Sequence, residues 1–348
     1  MASDRPVTLE AVPIDPGLPS EAEPRHLLKR VGQAVALLVV LLAIVLLAPG
    51  LGEAREALRH ADAGWLAAGV ALEVLSCWSY VVGFRPVFCS RMSWRSAAEL
   101  SWSELGIGSI VPASGAAGIA FGAWVLHRDG MLPEEIARRS VAFLLLKSLT
   151  NFVAVAVIGS VMAVGLIGPD QPLWRTALPA ALAVAAIAGV IAVGRRGDPP
   201  PAPADAPRLT RWWATTRRTL VGSLHVARPL LTSPAVIGGN LGYWFFDNAV
   251  LWATFHAVGV SPAISVIFMG YLIGQLGGLL PLPGGIGGID GGLIGTLILY
   301  GAPASATVAA VLAYRVILFW IPLIGGAIAF VSLRRGLNDP SRPDLCIT

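Results

Sequence analysis

The chain has 348 residues, 55% of them hydrophobic and only 13% charged, with a net charge of +4 and a mean hydropathy of +0.71. Soluble domains carry about 25% charged residues, so a water-soluble globular fold is excluded and an integral membrane protein is expected. The sequence pI near 9.2 does not signal nucleic acid, because the basic residues sit in the connections between apolar runs.

In chain order, residues 1–28 are polar, contain prolines and acids, and precede the first apolar run without a cleavage-like site, so they read as a disordered cytoplasmic tail. The membrane domain is expected over 29–338, with a basic cytoplasmic linker at 195–230 and a C-terminal tail at 339–348. Val31–Pro49 is a plain apolar run of about the length a bilayer core requires. Gly64–Phe84 follows with Glu73 near its middle, and Arg85, Arg91 and Arg95 come after it. Glu99–Leu126 is long enough to cross, but Pro112 and several glycines break it near its centre, so a re-entrant hairpin is the better reading. Glu104 within it reads as interfacial and structural.

Val141–Ile167, with Lys147 and Asn151, and Ala177–Val193 are further spans. The linker after them carries a Pro-rich stretch at 199–203, then Arg211, Trp212, Trp213, Arg217 and Arg218. That basic piece fits a helix on the membrane surface and equally a solvated helix. Pro234–Val258 is a span with Asn240, Asp247 and Asn248, and Thr307–Val331 is the last, with Arg315 well inside it.

Between those two lies the stretch that no continuous helix tolerates, 280–293. Pro281 and Pro283 each remove a backbone donor, six glycines fall within nine residues, and Asp290 puts a carboxylate where hydrocarbon is expected. Ala263–Tyr300 therefore reads as a second re-entrant hairpin, since irregular backbone at membrane depth survives only inside protein or beside a wet cavity. With both broken segments re-entrant, nearly all arginines fall on one side of the membrane, and only Arg55, Arg59 and Arg175 on the other. The two hairpins also match in sequence: Pro112, Gly115, Gly118 and Gly122 recur at identical spacing as Pro281, Gly284, Gly287 and Gly291. The expected fold is an all-α polytopic membrane protein of about six transmembrane helices plus two re-entrant broken-helix hairpins arranged as an inverted repeat. Both termini are expected in the cytoplasm.

The candidate site follows from what a lipid phosphate needs in a low-dielectric zone. Gly284, Gly285, Gly287 and Gly288 expose backbone N–H groups ahead of an apolar half-helix, which makes an anion cradle or, alternatively, a close-packing surface. Arg315 can fork onto a phosphate or pair with Asp290. Lys147 either meets the phosphate or snorkels to the interface. Asp290 is the gate or counter-ion and Asp247 a buried acid suited to proton-coupled transport, while Glu73 reads better as a satisfied core hydrogen bond. Pro112, Gly115, Gly118 and Pro283 complete the candidate pathway.

Leu280 to Asp290, then Gly301 and the run from Ala313 to Arg315, resembles the C-terminal signature of the lysylphosphatidylglycerol synthase transmembrane-region family. Val111 to Gly118 looks like its N-terminal counterpart. The family places a glutamate where Asp290 stands, and glycine where Ala113 and Ser114 stand. The resemblance implies a flippase-like domain acting on membrane lipids, an anionic phospholipid or a polyprenyl-phosphate lipid, in the cell membrane. It also implies the lipid-translocating half without the aminoacyl-transferase half. No phosphate-binding loop or dinucleotide fingerprint occurs. Three cysteines and five scattered histidines show no metal-ligand spacing, so no cofactor and no metal are expected. The competing readings are an intramembrane lipid-linked transferase using Asp290 or Asp247 as base, and a scaffold of an envelope-lipid synthesis complex. A homodimer or an envelope-synthesis enzyme would be the protein partner.

Overall fold

The computed structural model describes residues 52–110, 116–195, 207–275 and 288–337, together with positions 32, 33, 35, 36, 39, 197, 203, 345 and 346. Among the described residues the regular structure is helical throughout. The helices are α1 Gly52–Arg59, α2 Ala63–Phe88, α3 Trp94–Ile110, α4 Ala116–Arg128, α5 Pro133–Ala163, α6 Leu173–Arg195, α7 Arg208–Leu230, α8 Pro234–Ala257, α9 Ile264–Gly274, α10 Gly288–Leu299 and α11 Ala304–Leu337.

Four of these, α2, α5, α6 and α11, are long and apolar enough to cross a bilayer. A fifth apolar unit is α7 with α8, bent by 102° at their junction. The expected spans at 64–84, 141–167, 177–193, 234–258 and 307–331 fall on α2, α5, α6, α8 and α11. The run Val31–Pro49 lies outside the described residues apart from five helical positions. The basic, Trp-bearing stretch of the linker is helix α7, with Trp212 and Trp213 more than half exposed and Val221, Ser223 and Ala227 buried. Its sharp angle to α8 suits a helix lying along the membrane surface.

The segments expected to be broken are broken. Neither α3 (17 residues) nor α4 (13), and neither α9 (11) nor α10 (12), reaches the roughly 20 residues that a crossing needs. The two helices of the second pair run antiparallel, because Gly270 faces Leu297 while Gly274 faces Leu293. In the first pair the Glu104 backbone lies against Gly118 and its carboxylate lies against Gly122. Helical side chains tilt toward the N-terminus, so that order also means antiparallel packing. The joining residues 111–115 and 276–287 lie outside the described residues, and with them Pro112, Gly115, Pro283, Gly284, Gly285 and Gly287.

The element order repeats. Helices beginning at 63, 94, 116 and 133 recur at 234, 264, 288 and 304, offsets of 171, 170, 172 and 171 residues. Gly130 and Gly301, again 171 apart, both take positive φ (95° and 98°) and close the second helix of each hairpin in the same way. In each, the glycine N–H returns to the carbonyl three back and the next N–H to the carbonyl five back, the left-handed turn that ends a helix most cheaply at glycine. The halves are mutually inverted, since the equivalent helices α2 and α8 run antiparallel, with Gly69 facing Ala253 and Gly83 facing Gly239. A methyl on Gly239 would lie 2.6 Å from Gly83 Cα and 2.8 Å from the Ser79 carbonyl. Small residues thus bring the two backbones together where no hydrophobic driving force acts between helices. The same device joins α3 to α11, where a Cβ on Gly106 would stand 2.9 Å from Gly326 Cα.

Charge is segregated as the topology requires. Arg139 Nη1 donates to the Val87 and Phe88 carbonyls (both 2.8 Å), Arg85 Nε to that of Met92 (2.6 Å), and Arg128 Nη2 to that of Leu337 (3.5 Å). Arg138 packs on Gly222. One end of the bundle therefore gathers these arginines, and Arg175, bonded to the Leu299 carbonyl at 2.9 Å, marks the other. On the basic end Asp129 accepts backbone N–H bonds from Leu345 (2.7 Å) and Cys346 (3.0 Å), which fixes these two residues against α4.

Candidate functional site

Where the two halves meet, α2, α3, α5, α8, α9, α10 and α11 each contribute a polar side chain to an otherwise apolar interior. A helix rises about 1.5 Å per residue, so position along each helix gives depth. Glu73, Asp247 and Arg315 each lie ten or eleven residues, about 15–17 Å, from the less basic end of their helices. Asp290 is ten residues from Tyr300 on the same side. Lys147, fourteen residues into α5, is about 21 Å from the basic end, and Glu104, ten into α3, about 15 Å. The cluster straddles the middle of a bilayer core about 30 Å thick.

Arg315 and Asp290 form a buried ion pair. Arg315 Nε donates to Asp290 Oδ1 at 2.6 Å, and Nη2 lies 2.5 Å from the same oxygen. Arg315 is 8% and Asp290 2% exposed. Asp290 sits in the first turn of α10, where the helix dipole favours a carboxylate and the breaker-rich run before Gly288 lets the helix begin. The pair weighed as one reading of these residues is therefore present.

Asp247, on α8, is held by two tyrosines from the second half. Tyr271 Oη donates to Oδ2 at 2.5 Å and Tyr314 Oη to Oδ1 at 2.7 Å. Both cations of the cluster, Arg315 and Lys147, attract the same carboxylate. Asp247 thus lies within reach of both positive charges.

Lys147 does not reach toward the interface. Its ammonium lies 4.4 Å from the Tyr243 ring centroid, 4.8 Å from that of Tyr80 and 5.9 Å from that of Phe143. Among the described residues it makes no hydrogen bond and no ion pair, and ring faces hold it by cation–π attraction. Tyr80 in turn donates from Oη to Glu104 Oε2 at 3.0 Å. Glu104, expected at the interface, is instead buried (5% exposed), because α4 folds back over it and glycines 118 and 122 leave room for its backbone and carboxylate.

Gly118 is therefore a packing residue. A Cβ there would overlap the Glu104 carbonyl oxygen and lie 3.0 Å from its carbonyl carbon. Gly288 is buried at the start of α10. The sequence alignment of the hairpins pairs Gly122 with Gly291, yet Gly292 is the residue that abuts its hairpin partner, at Gly274, and Gly291 meets nothing within 4 Å. Glu73, expected as a satisfied core residue, is 5% exposed and receives only a long bond from Cys77 Sγ (3.6 Å) at Oε1. Its Oε2 is buried with no hydrogen-bond partner among the described residues.

Sequence reasoning sets Tyr243 on a helical face with Asp247 and Tyr80 on one with Glu73, but it gives no role to Tyr80, Tyr243, Tyr271 or Tyr314. A tyrosine in an apolar run ordinarily marks an interface anchor. The available signal was their position, with Tyr314 beside Arg315 and Tyr80 one helical face from Glu73 and Cys77. An apolar groove of about 390 Å³ also opens between α5, the end of α7 and α8, lined by Leu146, Val153, Leu230, Val236 and Trp244 among others. It reaches the residues adjacent to Lys147 and Tyr243.

Comparison with known proteins places this geometry in a family. Residues 33–326 match the family described as "Lysylphosphatidylglycerol synthase TM region". Two proteins from Methanothermobacter thermautotrophicus strain Delta H, each named "UPF0104 membrane protein", are similar over shorter stretches. One is 37% identical over 93 residues, 26% of this chain and 26% of its own length. The other is 31% identical over 86 residues, 24% of this chain and 26% of its own length. The matched stretch thus spans about a quarter of these curated relatives. The chain belongs to the lysylphosphatidylglycerol synthase transmembrane-region family and is a multi-pass membrane protein.

Proposed function

We propose that this protein is a lipid flippase or scramblase of the cell membrane, moving an anionic phospholipid or a polyprenyl-phosphate lipid between leaflets without an ATPase of its own. Both termini would lie in the cytoplasm, on the basic end of the bundle. The observation that carries the reading is the buried Arg315–Asp290 pair at the first turn of α10, at mid-membrane depth. An arginine has no reason of stability to stand there, since replacing such a pair by apolar side chains is often neutral or stabilising. It has a functional reason if its partner can be exchanged.

A phosphate entering from the basic side first meets Lys147, which stands among rings and attracts Asp247 and Glu104 but makes no ion pair among the described residues. Asp247 attracts both this cation and Arg315, and it can yield one while its tyrosines keep it solvated. Arg315 then exchanges Asp290 for two phosphate oxygens, a match its planar fork makes bidentately. The α10 N-terminus adds the favourable end of its dipole. Acyl chains stay in lipid or in the groove between α5 and α8 while the headgroup crosses.

The test is leaflet exchange of headgroup-labelled lipid by the purified protein in liposomes. Exchange is expected from the protein alone, with loss in Arg315→Ala and Asp290→Asn. Chemical alteration of the lipid would instead mark an intramembrane transferase. Neither exchange nor alteration, with a co-purifying synthase, would mark a scaffold.

A further inference from the structure

Among the described residues, the charged side chains at mid-membrane depth are four buried carboxylates, Glu73, Glu104, Asp247 and Asp290, against the buried Arg315 and the half-buried Lys147. Asp290 has Arg315. Asp247 has two tyrosine hydroxyls and the attraction of both cations. Glu104 has the Tyr80 hydroxyl and faces Lys147. Glu73 has none of these.

The groups that face Glu73 are Cys77 on its own helix, and Tyr243 and Asp247 from α8, with Tyr271 from α9 beyond them. Lys147 on α5, with Tyr314 and Arg315 on α11, faces Asp247, and Glu104 on α3 holds the Tyr80 hydroxyl. The nearest charged neighbour of Glu73 is thus another carboxylate. Its Oε2 is buried without a hydrogen-bond partner among the described residues. An ionised carboxylate in that position is strongly disfavoured, whereas a neutral acid tolerates it. Each passage of an anionic headgroup adds negative charge to a cluster that already has an excess of acids.

We propose that Glu73 is a proton site, neutral while the cluster is closed to water, which gives up its proton to water when the cluster opens to one face and takes one up as the cluster closes over an anionic headgroup. Lipid movement is then coupled to proton movement. Only an O–H bond forms and breaks; the proton comes from water on one face and returns to water on the other. This inference rests on the lipid-exchange reading above and adds a coupling ion to it.

The experiment uses liposomes that hold a labelled anionic lipid and a lumenal pH dye. Wild-type exchange is expected to vary with pH, up to about tenfold per unit on its steep limb for a one-proton step, and to move lumenal pH. Glu73→Gln, an isostere of the neutral acid that preserves the fold, is expected to flatten the profile and abolish the pH signal. Glu73→Asp keeps a carboxyl and is expected to keep the profile with a displaced midpoint. In detergent, the infrared carbonyl band of a protonated carboxylic acid is expected in the wild type and weaker in Glu73→Gln. Wild-type exchange that is pH-independent and unchanged in Glu73→Gln overturns the coupling and leaves lipid exchange standing. Absence of exchange at every pH in the wild type overturns the lipid reading and the coupling with it.

Discussion

Gly118→Ala tests whether the first hairpin is held by backbone contact. The added methyl would overlap the Glu104 carbonyl oxygen, lie 3.0 Å from its carbonyl carbon and 3.3 Å from its Cα. These are main-chain atoms, so no rotamer change makes room and α4 must move off α3. Overpacking of this kind costs about 1–3 kcal/mol. Alanine also gains about 0.8–1.0 kcal/mol of helix propensity over glycine, so the right control is Gly291→Ala. Gly291 is exposed in α10 with nothing within 4 Å of an added Cβ, and it receives the same gain without the clash. The difference between the two variants isolates the packing cost, about 1–3 kcal/mol. Unfolding in mixed micelles, followed by circular dichroism, measures it. Gly118→Ala should unfold a few degrees below Gly291→Ala, since about 1 kcal/mol moves Tm by roughly 2–4 °C in domains of 150–250 residues and by less in a longer chain. Equal stability of the two variants would refute the close approach of α3 and α4.

Arg315→Met removes the cation paired with Asp290 and should cost about 3–5 kcal/mol in the same assay, and Arg315→Met with Asp290→Leu should regain most but not all of it, because Asp247 then loses the attraction of Arg315. Tyr271→Phe and Tyr314→Phe each remove a hydrogen bond to a carboxylate, about 1.5–3 kcal/mol apiece by denaturant unfolding. Since the two share one acceptor, their sum should not equal the double variant. Lys147→Met should lower stability by much less than Arg315→Met, since the desolvation relieved by removing the ammonium offsets most of its lost attraction for Asp247 and Glu104, while slowing exchange of anionic lipid; a loss as large as that of Arg315→Met would mean that the cation is structural.

The parts of the fold legible in the chain were those written in local chemistry. Length and hydropathy located α2, α5, α6, α8 and α11, and proline with clustered glycine located both interruptions. Arginine placement gave the sidedness that the interhelical arginine–carbonyl bonds bear out. The pairing of Asp290 with Arg315 was legible because a permanent cation so deep in an apolar helix requires an acid, and few were in reach.

What stayed hidden depends on contacts between distant residues. Tyr80 meets Glu104 through the packing of α2 on α3, and Tyr314 meets Asp247 across 67 positions of sequence. Lys147 ends among rings of two helices that no periodicity in α5 announces. The glycine repeat was visible as a motif, but its meaning at Gly118 and Gly122 lay in the backbone and carboxylate of Glu104. The offset between equivalent glycines is likewise set by which helix face touches the partner, which spacing alone does not specify.

Photo-crosslinking bears most directly on the claim that a lipid phosphate passes between Lys147 and Arg315. An anionic lipid with a photoactivatable headgroup is irradiated in proteoliposomes, and the labelled peptides are mapped by mass spectrometry. The account predicts adducts on α10 near Asp290 and on α11 near Arg315, reduced in Arg315→Ala. Adducts confined to lipid-facing surfaces such as Leu182 and Ile191 of α6, unchanged in Arg315→Ala, would contradict it.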